Sequence, residues 1–411
     1  MKTLSKSRFV SGVQCEKKLW YSYYRKDLQL PTDEQTQAIF DLGHQIGNLA
    51  QNRFPNGKDA TPEDFSDFSP SIEKTKLWIA EEVETIYEAT FTAKNALCML
   101  DILHRMNGEV WAIEVKNSTS VKDYHLTDAS LQYFVMKEAG YAPDKFFLMH
   151  INNQYIKNGE LTDEFFHLED ITDKVLSKQT WVEENLERLL VMLENKQEPN
   201  VSIGAHCSSP FACDFVHHCW KHIPENSVFE LYRGGNKAWE LYEQGILKIE
   251  DIEDDFPLTH FQHLQRKGLR NQEQYINKEA IKNMISSWQF PLYFFDFETV
   301  FPAIPVLDGT RPYQQVPFQY SLHILEEDGK LSHKEFLAHP EDFSNGKNPL
   351  KLLVEQLKQD FGTDGNIVTY NQSFEVARLN ELANMFPEDA PFLKNLVSRV
   401  VDLLPVFQGG F

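Results

Sequence analysis

The sequence predicts an α/β chain of two domains joined by a helical connector, and three stretches carry that expectation. "MLDILHRMNGEVWAIEVK", from Met99 to Lys116, sets apolar runs on either side of Asn107-Gly108, a pair that favours a two-residue hairpin turn. "TDASLQYFVMKEAGY" follows with apolar residues at helical spacing, an expected N-cap at Thr127 and a stop at Gly140. "FPLYFFDFETVFP" reads as a buried strand, and it lies beyond a tract of helical spacing with acidic links such as "QGILKIEDIEDDFP". Domains are therefore expected at 1–226 and 288–411, with a helical connector over 227–287. A length of 411 residues with 42% hydrophobic content suffices for separate cores.

The hairpin strands are interrupted by Asp101, Glu114 and Lys116. Closing the turn on Asn107-Gly108 sets Met106 against Glu109, and counting outward places Asp101 opposite Glu114, with Cβ atoms roughly 5 Å apart. Alternation puts Glu114 and Lys116 on one side of the sheet and Ile113 and Val115 on the other. Two opposed carboxylates repel unless a positive charge sits between them. Mg²⁺ or Mn²⁺ answers that need, since Mg²⁺ is commonly held by one or two carboxylates, water and substrate phosphate. Lys116 could then orient or deprotonate the attacking water. A plain salt-bridged surface hairpin, with Lys116 neutralising Glu114, is the competing reading.

The chain has five cysteines, Cys15, Cys98, Cys207, Cys213 and Cys219. "MKTLSKSRFVSGVQCEKKLW" is charged and lacks the long apolar run of a secretory leader. No stretch approaches the roughly 18 apolar residues of a membrane span, so a cytoplasmic protein with no membrane association is expected. There, clustered cysteines point to metal. "CSSPFACDFVHHCW" spaces three thiols as Cys-x5-Cys-x5-Cys, one short of a tetrathiolate set that Cys15 could complete. Zinc is the alternative, with His206, His217 and His218 available. Cys98, in the strand leading to Asp101, reads as a small buried hydrophobe.

A net charge of −21 is no advertisement for nucleic-acid binding. Locally, seven Lys or Arg between Lys2 and Lys26 face the single acid Glu16, with Phe9, Trp20, Tyr21, Tyr23 and Tyr24 interleaved. That suits a strand groove with stacking surfaces, or equally an amphipathic helix with a solvated basic face. In "FPLYFFDFETVFP", period two puts Asp296 and Glu298 on one face, a common way for a strand to offer two metal ligands. Unpaired acids amid Tyr and Phe would be costly in a purely structural strand.

Asp101 with Glu114-Val115-Lys116 resembles the D…ExK core of the PD-(D/E)xK nucleases in their RecB-like branch. Gln132 falls where those proteins carry the Gln of a QxxxY motif, although the Tyr position is Met136. The GxxxH motif reads Gly43 to Gly47, with His44 out of place. One cysteine before the core and three after it resemble the iron–sulfur nucleases of that group, including the AddB subunit and the CRISPR-adaptation exonucleases. The resemblance implies a [4Fe-4S] cluster on Cys15, Cys207, Cys213 and Cys219.

Asp296-Phe297-Glu298 resembles the first motif of RNase H-like DEDD exonucleases. Asn371 to Phe374-Glu375 resembles the second, with Glu375 for the usual Asp, and Asp402 matches a later acidic position. A third motif is expected beyond Phe411, so this domain is expected to be C-terminally truncated. The two-part order, with "TRPYQQVPFQYSLHI", is similar to an uncharacterised bacterial family joining both nuclease types. Its implication is a metal-dependent nuclease acting on DNA at ends or on single strands. Asp101, Glu114, Lys116 and Gln132 would be catalytic, and a second 3′–5′ exonuclease centre would use Asp296, Glu298 and Glu375. The reading from another class is a non-catalytic nucleic-acid-binding or assembly protein on degenerate nuclease folds.

Overall fold

The computed structural model describes residues 2–343 and 347–408; the expected truncation at Phe411 lies outside them. The chain forms two compact units, Met1–Asn153 with Thr162–Ile223, and Gln154–Leu161 with Pro224–Phe411. Both are mixed α/β, and among the described residues no helix is long and apolar enough to cross a membrane.

The first unit runs β1 (Leu4–Ser5), α1 (Lys6–Gln14), α2 (Glu16–Tyr24), α3 (Glu34–Gln51), β2 (Lys58–Asp59), α4 (Ser69–Ala80), β3 (Thr85–Ala93), β4 (Ala96–Met106), β5 (Glu109–Lys116), α5 (Asp123–Glu138), β6 (Lys145–Ile151), β7 (Phe166–Asp170), α6 (Thr172–Ser177), α7 (Gln179–Glu194) and α8 (Val216–Cys219). Its sheet has the order β2-β3-β4-β5-β6-β7, with β1 added to β4. The β4–β5 turn has the positive φ angles that only Asn and Gly tolerate well, +53° at Asn107 and +84° at Gly108. That turn fixes the register, Met106 against Glu109 and Ile102 against Ile113.

Helix α5 is buried on most of its surface, with Leu131, Phe134, Val135 and Met136 in the main core. A helix enclosed on all sides has a weak one-face pattern, which is why its start was misplaced by sequence. It begins at Asp123, not after Thr127. His125 Nδ1 accepts the Lys122 amide, and the Thr127 hydroxyl donates to the Asp123 carbonyl inside the first turns.

The second unit contains α9 (Asn236–Glu243), α10 (His260–Asn271), α11 (Lys278–Ile285), β8 (Leu292–Val300), β9 (Val316–Leu325), β10 (Leu331–Leu337), α12 (Pro349–Asp360), β11 (Ile367–Thr369), α13 (Ser373–Met385), α14 (Ala390–Ser398), β12 (Val400–Asp402) and α15 (Leu404–Gln408). The stretch expected as a connector has its own small core of Val228, Leu231, Leu241, Ile249 and Ile252. Beyond it the sheet order is β10-β9-β8-β11-β12, antiparallel across β10, β9 and β8 and parallel across β8, β11 and β12. Phe295 and Phe297 point into the core while Asp296 and Glu298 are exposed. Solvent on that face removes the burial cost expected for the two acids.

Candidate metal centre

The first unit's charged centre occupies a fork in its sheet. β3 covers one edge of β4 from Ala96 onward, so β1 and β5 share the other edge. There β1 pairs along Ala96–Leu97 and β5 along Ile102–Met106. Between them, Met99 to Asp101 has no strand partner on that side, and side chains fill the notch. Asp101 Oδ2 accepts the Val115 amide at 2.6 Å, where the β4–β5 ladder has just ended. Lys6, the first residue of α1, donates to the Met99 carbonyl at 3.0 Å and to Glu114 Oε1 at 2.8 Å.

Glu114 is 1% exposed and carries the densest set of contacts. Lys116 Nζ reaches the same Oε1 at 2.6 Å, and Gln132 Nε2 donates to Oε2 at 2.9 Å. Lys116 is tied also to Asp128 Oδ2 at 2.7 Å, and Gln132 touches Asp128 Oδ1 at 3.3 Å. Asp128 and Gln132 lie one turn apart on α5 and so face the same way. Glu88 adds a fourth carboxylate. It lies across from Asp101 but leaves the β3–β4 ladder, with φ at +53°, a strained value for a non-glycine residue.

Four carboxylates thus face two ammonium groups. Burial raises Asp101 to about 6, with Glu114 adding to the rise. Burial and the Asp101 charge raise Glu88 to about 8. Burial would also raise Glu114, but Lys116 and Lys6 hold it well below the usual carboxylate range. For Lys116, burial is outweighed by Asp128 and Glu114, and the amine stays protonated. The centre has an excess of two acids over lysines and a buried Gln132 Oε1 without a hydrogen-bond partner. Both features suit a divalent cation on Asp101 and Glu114.

Lys6, Glu88 and Asp128 escaped the sequence reading. Asp128 was within reach of it, four residues before Gln132 on one helix. His44 is exposed on α3, and Met136 is buried in the core, so neither motif position contributes.

In the second unit Glu375, in the first turn of α13, is 2% exposed, and its Oε2 lacks a hydrogen-bond partner. Burial raises it to about 7, with Asp296 and Asp402 adding repulsion. Asp402 accepts amides of Asn371, Gln372 and Leu404 and so is fixed at the same corner. Glu298 lies two residues along β8 from Asp296, at a break in the β8–β9 register.

Cys15, Cys207, Cys213 and Cys219 line one cavity together with Lys17, Lys18 and His206. Burial raises Cys15, Cys213 and Cys219, and each of these feels at least one other thiol of the group. The Lys17 and Lys18 charges act in the opposite sense but are outweighed by burial. Cys98 is fully buried in the main core. His217 and His218 do not line the cavity; His218 packs edge-on against Tyr21. Among the described residues no three His, Cys, Asp or Glu side chains stand as a closed ligand set for a single ion. The thiols surround a space, and the carboxylates of the fork are held by lysines.

Part of the basic, aromatic N-terminal segment goes into packing, while Arg25 and Lys26 stay exposed. Phe9, Trp20 and Tyr21 are buried, and Tyr21 donates to Glu198. Lys2 and Arg8 lie over Tyr23, and Lys17 pairs with Glu198.

Among solved structures, SSO0001 covers 53% of this chain and 86% of its own at 14% identity. The TM-score of 0.27 is too low to carry an argument. The uncharacterized protein MG366 of Mycoplasma genitalium is 29% identical over 120 residues, 28% of this chain and 18% of that protein. Its Mycoplasma pneumoniae homolog is 32% identical over 121 residues, 28% and 18% of the two chains. UU173 of Ureaplasma parvum is 29% identical over 136 residues, 31% and 19%. The chain spans about a fifth of the length of these relatives. Residues 293–411, most of the second unit, match the family described as domain of unknown function DUF2779.

Proposed function

We propose that the chain is a metal-dependent nuclease of PD-(D/E)xK, RecB-like type that hydrolyses DNA phosphodiesters at the fork of its first unit. One observation carries the reading: a buried glutamate kept ionised beside a second carboxylate, a lysine and a glutamine, all aimed into a break in the sheet. Perturbed, clustered titratable groups of this kind concentrate at functional sites. Asp101 and Glu114 would hold Mg²⁺ or Mn²⁺, which when bound polarises a phosphoryl oxygen and lowers the pKa of coordinated water. Gln132 fixes the tilt of the Glu114 carboxylate. Asp128 keeps Lys116 charged and oriented, so its ammonium is placed to align water and to stabilise negative charge on the phosphate.

The four cysteines would hold a [4Fe-4S] cluster, a thiolate-ligated redox group, fastening the α1–α2 junction to the 207–219 segment. Zinc on the same residues is the alternative, with His206 as the histidine that lines the cavity. In the second unit, Asp296 and Glu375, joined by Asp402, support a 3′–5′ exonuclease centre of RNase H-like type, with Glu298 at its margin. The non-catalytic reading draws on the lysine grip on Glu114. The deciding test incubates end-labelled single and double strands with the protein, with Mg²⁺ or Mn²⁺ and then with chelator. Degradation that stops on chelation is expected; intact strands under every condition would leave a binding or assembly role.

A further inference from the structure

Both oxygens of the Glu114 carboxylate are already engaged. Oε1 accepts from Lys6 and Lys116, and Oε2 accepts from Gln132. A carboxylate oxygen offers two lone pairs, so Oε1 has none left for a cation. Oε2 accepts one hydrogen bond and keeps a lone pair, so an ion that takes both oxygens of the carboxylate must displace an ammonium from Oε1, and the two lysines are not held equally. Lys116 has a second charged anchor in Asp128 at 2.7 Å. The second anchor of Lys6 is the neutral Met99 carbonyl at 3.0 Å. Both bonds have an ionised donor, but the Lys116–Asp128 contact adds the attraction of a full anion that the neutral Met99 carbonyl lacks, so Lys6 is the one that yields. Its place also favours release, since it opens α1 directly after the two-residue strand β1.

Resting on the reading of Asp101 and Glu114 as a cation site, we propose that Lys6 is a resident counter-cation, a positioning residue that holds Glu114 until a divalent ion displaces it. It keeps a buried carboxylate paired when the ion is away, and it sets the concentration at which the ion enters. Lys116 stays on Glu114 and Asp128 throughout.

The test is Mn²⁺ titration of the full chain, followed by electron paramagnetic resonance of the free ion. All proteins carry Asp296→Asn and Glu375→Gln to weaken ion binding in the second unit. Lys6→Met removes the competing charge while leaving Glu114 with Lys116 and Gln132, and it should bind Mn²⁺ on the order of tenfold more tightly at low salt. Lys6→Gln, a second neutral variant that keeps a donor for the Met99 carbonyl, should shift the same way. Lys6→Arg should stay near the parent affinity, and Asp101→Asn should bind more weakly. Neutral variants that bind no more tightly than the parent would overturn the role of Lys6 alone. A parent that binds no Mn²⁺, or binds it regardless of Asp101, would overturn the cation site and the role of Lys6 with it.

Discussion

Replacing Lys116 with alanine is expected to lower strand cleavage by on the order of 10²–10³-fold, the usual cost of deleting one preorganised electrostatic group. The side chain joins Glu114 and Asp128 through one ammonium, so the substitution also leaves Asp128 without its ion pair and Glu114 with Lys6 as its remaining lysine. Lys116→Arg should not rescue, because a planar fork cannot reproduce a point charge held between two carboxylates. Asp296→Ala, in the second unit, should leave most cleavage intact. Initial rates on end-labelled single strands decide between the halves. Loss with Asp296→Ala and survival with Lys116→Ala would place the chemistry in the other unit.

Glu375→Gln is expected to stabilise the chelator-treated protein by about 3 kcal/mol above neutral pH and to change little at pH 4. The wild-type carboxyl is raised to about 7 when folded, by burial with added repulsion from Asp296 and Asp402. An unfolded Glu ionises near ~4.3. Between those values the folded state binds the extra proton, so the Glu375 contribution to wild-type stability falls as pH rises through that window and levels off above it. Glutamine has no proton to lose, and the gap between the two proteins should open across the same window. Urea denaturation at several pH values measures it. A constant gap would mean that Glu375 is not held protonated by its surroundings.

How far the sequence could be read follows from where its constraints are local. Asn107-Gly108 fixes a hairpin register by backbone conformation alone, and that register carries Asp101 and Glu114 to the fork. Alternation in β8 likewise separates Phe295 and Phe297 from Asp296 and Glu298 without any knowledge of the fold. Lys6 was not legible, because it reaches Glu114 across 108 positions only after β1 adds to β4. Glu88 was not legible either, since nothing in "TIYEATF" announces a glutamate at positive φ. The basic, aromatic start of the chain was ambiguous for a similar reason. Its rings could serve a groove or a core, and tertiary packing chose the core for Phe9, Trp20 and Tyr21. The cysteines were readable by spacing, while the lysines beside them in the cavity emerge only from the fold.

The central claim, that the first unit holds a catalytic divalent ion, is tested most directly by locating manganese. Crystals soaked in Mn²⁺ should show an anomalous peak in contact with Asp101 and Glu114, with Lys6 withdrawn from Glu114 and Lys116 still on Asp128. A fork without manganese, its Glu114 still bound by Lys6 while a peak stands at Asp296, Glu375 and Asp402, would contradict it.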